Sequence, residues 1–200
     1  MPKLVDHRKR RELLAQAAWR VIRRAGLDGL SVRTVAEEAG MSLGSLRHYF
    51  GSQAELLAFS MRLVSEQATR RIEGLPYTGE PRADILLIIA ELLPLDEVRR
   101  EEAEVWLAFA AKAVSDPAIG ELYREVHEQL YAGFRRMLEG LAAVGLAKPG
   151  LRLETETKRL HALVDGLVLH HAAAPERVTS EDMLAAVTLH LDSLLERPAE

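Results

Sequence analysis

The chain contains no cysteine among its 200 residues. This absence excludes disulfide bonds, thiolate metal sites and a cysteine nucleophile, and it is consistent with a reducing compartment. The chain also lacks an apolar run long enough to cross a bilayer. Its basic N-terminus, MPKLVDHRKRR, has no apolar core of the kind that a signal peptide needs. We therefore expect a cytoplasmic protein.

Common catalytic signatures are also missing. No GxSxG, HExxH, P-loop or GxGxxG run is present, and we find no internal repeat and no low-complexity tract. With 48% hydrophobic and 28% charged residues, a chain of this length can bury a sizeable core. No segment has the pattern of a strand, so the sequence predicts a globular all-α protein.

The charge is distributed unevenly along the chain. Residues 1–52 contain ten Lys and Arg against five Asp and Glu, whereas the remaining residues contain 16 basic and 25 acidic side chains, for a net charge of -4 overall. A basic head on an acidic body suits binding of a polyanion at one end of the molecule.

A helix-turn-helix is indicated by the segment from Ser31 to Phe50, SVRTVAEEAGMSLGSLRHYF. Ser31 is suited to cap a first short helix, which Gly40 would end. Ser42 is suited to cap a second helix that continues through Phe50 and ends at Gly51. Two short helices joined by a glycine-containing turn are typical of this motif.

The second of these helices has two distinct faces, at about 100° per residue. One face collects the large apolar residues Leu43, Leu46 and Phe50. The opposite face collects the small or polar residues Gly44, Ser45 and His48, with Arg47 and Tyr49 on the flanks. Such a face fits a major groove, where His48 and Ser45 can bond base edges while Arg47 and Tyr49 lie near phosphates.

Residues from about Arg10 to Leu57 resemble the DNA-binding domain of the TetR family of bacterial transcriptional regulators, through the run LSVRTVAEEAGMSLGSLRHYFGSQAELL. Two positions depart from the family pattern. The family usually has Tyr where this chain has Arg47, and Lys where it has Gln53. Together with the helix faces, the resemblance implies DNA contacts to base edges by Arg33, Gly44, Ser45 and His48 and to the backbone by Thr34, Arg47, Tyr49 and Gln53. Leu43 is left open, because the family pattern places it at the DNA and the helical wheel places it nearer the core.

Two further segments of the head are predicted around this motif. A first helix should run from His7 to Ala25, and its leading HRKRR cluster is either a solvated tail or, as the neighbouring motif favours, an arm along the DNA backbone. After the motif, Ser52 and Glu55 are spaced as a capping box for a helix to about Glu73, which would connect the head to the body.

The body, residues 52–200, is predicted to be a helical bundle, which with a three-helix DNA-binding domain at residues 1–51 gives about nine helices. Its further helices should span Arg82–Leu93, Asp96–Val114, Asp116–Val144, Leu153–Ala174 and Ser180–Glu196. From Leu93 onward the chain resembles the C-terminal domain of the BetI-like branch of the family, by LPLDEVRREEAEVWLAFAAKAVSDPAI and LHALVDGLVLHH. The last two helices carry too many apolar residues for a peripheral position. They would therefore either pair with a second subunit as a two-fold homodimer or fill a monomer core.

Two side-chain sets in the body have both a functional and a purely structural interpretation. Aromatic and histidine residues at helical spacing would either line a ligand pocket, as the resemblance implies, or simply form core; they are Trp106, Phe109, Tyr123, His127, Tyr131 and Phe134. His161 and Asp165 lie one turn apart, followed by His170 and His171, and would serve as metal ligands, as catalytic groups or, more commonly, as hydrogen-bonded core. We expect no metal, no cofactor and no enzymatic activity.

The resemblance implies a homodimeric regulator that binds palindromic double-stranded operator DNA and is released by a small-molecule effector. Repression is the usual outcome in the family. Two alternatives remain at this point, namely a binding protein whose helix-turn-helix only supports the fold, and a small helical enzyme that uses His161 and Asp165.

Overall fold

The computed structural model describes the backbone of residues 2–196 and the side chains of residues 7–196, so the first six side chains of the predicted N-terminal segment lie outside it. Within this range the chain forms nine α-helices: α1 Pro2–Ala25, α2 Val32–Glu38, α3 Leu43–Arg47, α4 Gln53–Glu73, α5 Pro81–Ala90, α6 Glu97–Ala113, α7 Pro117–Ala143, α8 Leu153–Ala173 and α9 Ser180–Leu194. The only β-pairing among the described residues is an isolated bridge between Ala147 and Leu195. The predicted all-α fold is confirmed, and no described helix is long and apolar enough to cross a membrane.

The chain divides into two compact units. The first unit comprises Met1–Gln67 and Glu104–Tyr123, and the second comprises Ala68–Ala103 and Arg124–Glu200. The divisions fall inside α4, α6 and α7, so each of these three helices contributes residues to both units.

Several helix ends follow the capping residues that the sequence indicates. The Ser31 hydroxyl accepts a hydrogen bond from the Thr34 amide at 3.0 Å, and the Thr34 hydroxyl accepts one from the Ser31 amide at 2.8 Å. Gly40 follows α2 with a φ of 64°, a conformation that glycine adopts without steric cost. At the start of α6 the Asp96 carboxylate accepts from the Arg99 amide at 2.9 Å. These side chains satisfy helix-end groups that would otherwise lack partners.

α3 is shorter than the sequence predicts, because it ends at Arg47 rather than at Phe50. The amides of His48 and Tyr49 bond to carbonyls three residues earlier, at 3.3 and 2.8 Å, and this tightens the chain into a turn. Phe50 is nevertheless fully buried. The apolar face predicted from the wheel is therefore retained although the last turn is not α-helical.

The predicted capping box at the start of α4 forms only in part. The Ser52 hydroxyl accepts from the Glu55 amide at 3.1 Å, as expected. The Glu55 carboxylate, however, accepts from the Gly51 amide at 2.9 Å instead of the Ser52 amide, and its other oxygen pairs with Arg11 at 2.9 Å. The ion pair with Arg11 holds the Glu55 side chain in place. Arg11 is distant in sequence, so the spacing of residues within α4 could not predict this contact.

The first unit is held together by apolar packing of α1 on α2 and of α2 on α3. Its fully buried large side chains include Leu14, Leu46, Phe50 and Leu56. One buried polar contact joins α1 to α4, where the Trp19 indole donates to the Ser60 carbonyl at 2.9 Å. A buried indole N–H needs such an acceptor, so this bond fixes how Trp19 fits into the core.

In the second unit, α9 packs against α8 and α5. The shared core of these helices is aliphatic and includes Ile89, Leu160, Val164, Met183, Val187 and Leu191. The predicted apolar stripes of the last two helices thus fill part of this core. Other apolar residues on the same helices stay exposed, namely Leu169, Leu184 and Leu189.

A charged network joins α4, the end of α5 and α6 within the second unit. Arg71 donates two hydrogen bonds to the nearly buried Glu102 carboxylate at 2.8 and 2.7 Å and a third to Glu91 at 2.8 Å. Glu91 also accepts from Arg99 at 3.2 Å. The two carboxylates raise the pKa of Arg71, and the hydrogen bonds to Glu102 have the larger effect. The guanidinium therefore stays charged. Removal of one of the two carboxylates would leave the positive charge of the half-buried Arg71 poorly compensated.

We expect Glu102→Gln to lower the free energy of unfolding by about 2 kcal/mol, because Arg71 loses its bidentate partner while keeping Glu91. The matched control is Glu97→Gln on the same helix, whose exposed ion pair with Arg100 should contribute less than about 0.5 kcal/mol. Urea denaturation at one fixed protein concentration measures both. Equal losses for the two variants would contradict the structural role of the network.

Candidate nucleic-acid interface and ligand groove

The orientation of α3 is set by its buried side. Leu46 and Phe50 have no exposed surface, while Gly44, Ser45 and His48 are exposed. Because a helix repeats every 3.6 residues, burying one side of α3 turns the opposite side to solvent. The structure therefore brings these three predicted base-contacting residues onto one accessible face.

The flanking predicted residues differ in how accessible they are. Arg47 is exposed and forms no ion pair with the side chains of residues 7–196. Tyr49 and Leu43 are half-buried. The family pattern places Leu43 at the DNA and the helical wheel places it nearer the core, and its half-buried side chain lies between these two positions.

The two predicted contact residues of α2 are already engaged. The Thr34 hydroxyl is committed to the capping box and also lies 3.1 Å from the Gly29 carbonyl. Arg33 pairs with Glu37 at 3.0 Å, but both side chains are largely exposed, at 80% and 64%. An exposed pair of this kind contributes little stability and exchanges readily. Arg33 therefore remains able to reach another partner, whereas the Thr34 hydroxyl is already bonded to Ser31 and Gly29 within the first unit.

Gln53 lies at the start of α4, where its amide group donates to the Leu30 carbonyl at 2.8 Å. Its side chain thus joins the beginning of α4 to the chain segment that precedes α2. A lysine, which the family usually has here, could place an ammonium in the same position. The bond to Leu30 is thus a positioning contact within the protein. The contact of Gln53 with the DNA backbone stays a prediction.

An aromatic cluster connects α1 to the turn that follows α3. The His7 ring lies 5.0 Å from the Tyr49 ring and 6.3 Å from the His48 ring, and the last two are 5.4 Å apart. Sequence reasoning placed His7 in a basic cluster and did not foresee this contact. His7 belongs to α1, whereas His48 and Tyr49 follow the end of α3, so no local spacing relates His7 to the other two rings.

The basic cluster at the start of α1 is divided by its contacts. Arg8 pairs with Glu12 and Glu66, and Arg11 pairs with Glu55 while its guanidinium lies 4.5 Å from the Phe50 ring centre. Lys9 and Arg10 are exposed. Arg8 and Arg11, two of the four cations, thus stabilise the first unit. Lys9 and Arg10 are therefore better placed than these two to bind a polyanion.

Ion pairs hold the other helices of the first unit around the helix-turn-helix. Hydrogen bonds from Arg20 and Arg24 to Glu38 lower the pKa of that carboxyl and join α1 to α2. On α6, Lys112 donates to Asp28 at 2.6 Å, and this bond raises the pKa of the lysine. α6 therefore contacts the segment that immediately precedes α2.

The six predicted pocket residues fall into both units. In the first unit, Trp106 and Tyr123 stack with ring centres 4.7 Å apart, and Phe109 is fully buried. In the second unit, His127 and Tyr131 line a groove of about 440 Å³ between α7 and α8. Phe134 is buried with its ring centre 4.9 Å from that of His161.

His161 forms the inner wall of this groove. Its side chain is only 5% exposed, its ring centre lies 4.4 Å from that of His127, and its Nε2 is 3.6 Å from an Asp165 oxygen. Burial, with a smaller effect of His127, lowers the pKa of His161 to about 4, so the imidazole is neutral near pH 7. His171, by contrast, bonds the Val178 carbonyl at 2.7 Å and takes a structural role at the end of α8.

Comparison with known proteins agrees with this geometry. Residues 14–68 match bacterial regulatory proteins of the tetR family, and residues 81–196 match the C-terminal part of BetI-type transcriptional repressors. The chain is 40% identical over 195 residues to the HTH-type transcriptional regulator PksA of Bacillus subtilis (strain 168), covering 97% of this chain and 94% of PksA. It is 31% identical over 202 residues to the HTH-type transcriptional regulator BetI of Burkholderia mallei (strain NCTC 10229), covering 98% of each.

Solved structures give the same result. The crystal structure of a transcriptional regulator from Rhodococcus sp. Rha1 superposes with a TM-score of 0.78 at 32% identity, covering 92% of this chain and 95% of the other. Sequence, fold and the exposed face of α3 thus agree, and the chain belongs to the TetR family of DNA-binding transcriptional regulators.

Proposed function

We propose that the protein is a homodimeric repressor in which residues 1 to about 51 bind a palindromic operator and residues 52–200 dimerise and bind a small-molecule effector. The observation that carries this proposal is the exposed set of Gly44, Ser45 and His48 above the buried Leu46 and Phe50. Two copies of this face in a symmetric dimer would read two half-sites about 34–36 Å apart, or a multiple of that distance. Such a protein acts in the cytoplasm, where its operator lies.

The contacts divide by chemistry. Ser45, His48 and Arg33 would bond base edges, and the missing side chain of Gly44 would let α3 approach the groove closely. Arg47 and Tyr49 would contact phosphates, together with Thr34 and Gln53, whose side chains also hold the motif in place. Leu43 would lie at the rim of the surface.

The dimer interface is proposed to lie on α8 and α9. Leu169 on α8 is 51% exposed, and Leu184 and Leu189 on α9 are also exposed. Their burial against a second copy would complete a two-fold four-helix interface. Burial of each of these leucines would contribute at most about 1.5–3 kcal/mol to the free energy of dimerisation.

Release from DNA would follow from a population shift. An effector that binds one arrangement of the dimer more tightly favours that arrangement, and its two α3 faces then no longer match adjacent major grooves. We propose that α4 and α6 carry this change, since each of them contributes residues to both units. α6 holds the Lys112–Asp28 contact in the first unit and the Arg71–Glu102 contact in the second.

A gel-shift titration with a palindromic DNA segment from beside the protein's own gene tests the function directly. We expect sequence-specific binding at low salt, with one dimer for each palindrome, because the two α3 faces are related by symmetry. Equal affinity for a shuffled segment of the same composition would contradict the proposal.

Arg47→Ala and His48→Ala should have different effects on DNA binding. Loss of the Arg47 cation should weaken binding to all sequences and reduce the salt slope by about one unit for each protomer bound. Loss of His48 should change sequence preference more than affinity for random DNA. Binding measured across a salt series on operator and random DNA separates the two.

Arg135→Ala is the matched control for charge, because Arg135 is an exposed arginine on α7 in the second unit. It should leave the salt slope unchanged. If the two α3 variants exchanged their effects, the assignment of their faces would be wrong.

Leu169→Glu should convert the dimer to monomers, because a charge would replace an apolar side chain at the proposed interface. Val98→Glu is the control, since Val98 is equally exposed, at 54%, but lies on α6. Analytical ultracentrifugation of both variants gives the association state. A Leu169→Glu protein that still dimerises as tightly as the Val98→Glu protein would place the interface elsewhere.

A further inference from the structure

Three side chains of metal-ligating type converge in the groove between α7 and α8. His127 comes from α7, and His161 and Asp165 come from successive turns of α8. One potential ligand atom from each lies within 4.8 Å of those of the other two. The same groove is lined by Glu128, Tyr131, Glu154, Lys158 and Ala162.

The buried member of this group is His161. Its Nε2 has no hydrogen-bond partner among the described residues, because the Asp165 oxygen at 3.6 Å is too distant for such a bond. A buried polar nitrogen without a partner carries a free-energy cost unless a further group satisfies it. This nitrogen is 3.6 Å from a carboxylate oxygen of Asp165, which belongs to the convergent group, so a cation bound among the three side chains would supply that partner.

We infer that His127, His161 and Asp165 bind a divalent first-row transition-metal ion. Two imidazoles and one carboxylate form a donor set that suits Zn²⁺, Ni²⁺, Co²⁺ or Fe²⁺, whereas Mg²⁺ and Ca²⁺ prefer oxygen donors alone. Water from the groove would fill the remaining coordination positions. This inference goes beyond the proposed regulation, because it concerns metal affinity and not operator binding.

Only small movements would bring the ligands to bonding distance. Bonds of about 2.0–2.1 Å place neighbouring ligand atoms of a tetrahedral ion about 3.3 Å apart. The 3.6 Å between His161 and Asp165 is already close to this value. His127 and Asp165 are half-buried, so rotation of their side chains can supply the remaining closure while the buried His161 stays in place.

The charges around the groove also favour a cation. Its lining includes three carboxylates, those of Glu128, Glu154 and Asp165, against the single ammonium of Lys158. That ammonium is paired with Glu154 at 2.6 Å and is exposed. Carboxylates therefore outnumber ammonium groups in the lining of the groove, and this balance favours a cation.

The test uses the full-length protein without an affinity tag, treated with EDTA and dialysed. Titration with Co²⁺, followed by its visible absorption, and with Zn²⁺ in competition with a chromophoric chelator should give one ion for each chain. His127→Gln and Asp165→Asn should each weaken Zn²⁺ binding at least tenfold, because each removes one of three ligands. Both side chains are half-buried, and circular dichroism checks that the helices are retained.

His170→Gln is the matched control, because His170 is an exposed histidine on the same helix. It should bind Zn²⁺ as tightly as the unaltered protein. The inference would be overturned by an unaltered protein that binds Zn²⁺ no more tightly than the His127→Gln, Asp165→Asn double variant. It would equally be overturned if His170→Gln weakened binding as much as the other two substitutions.

Discussion

The burial of Leu46 and Phe50 is the constraint on which the exposed face of α3, and with it the proposed DNA contacts, depends. Burying a side chain of this size contributes about 1.5–3 kcal/mol, whereas an exposed ion pair such as Arg33–Glu37 contributes less than about 1 kcal/mol. Apolar packing therefore decides which side of α3 faces inward, and the helical repeat then decides that Gly44, Ser45 and His48 face outward. Polar contacts refine this arrangement without setting it.

Charged contacts have a different part in this protein, which is to join helices that are distant in sequence. Arg71 reaches Glu102 across 31 residues in the second unit, and Lys112 reaches Asp28 across 84 residues in the first. α6 contributes one residue to each of these contacts. The two contacts are discrete, and each holds α6 to a different part of the chain.

Much of the fold could be predicted from the chain alone. Capping residues such as Ser31 and Asp96, the stop at Gly40 and the apolar repeats are local features, and each has a local physical cause. The predictions that failed were also instructive. The end of α3 tightened into a turn, and Glu55 bonded to Gly51 and Arg11 instead of completing its capping box, because contacts from other elements competed with the local pattern.

The sequence by itself determined the all-α class, the helix-turn-helix and its outward residues, since these follow from periodicity and capping within about twenty consecutive residues. Only the tertiary structure placed His7 against Tyr49 and His127 beside His161 and Asp165. The physical reason is that each of these groups joins elements that are separate in the chain. Their meeting depends on how the helices pack, which no repeat within one helix records.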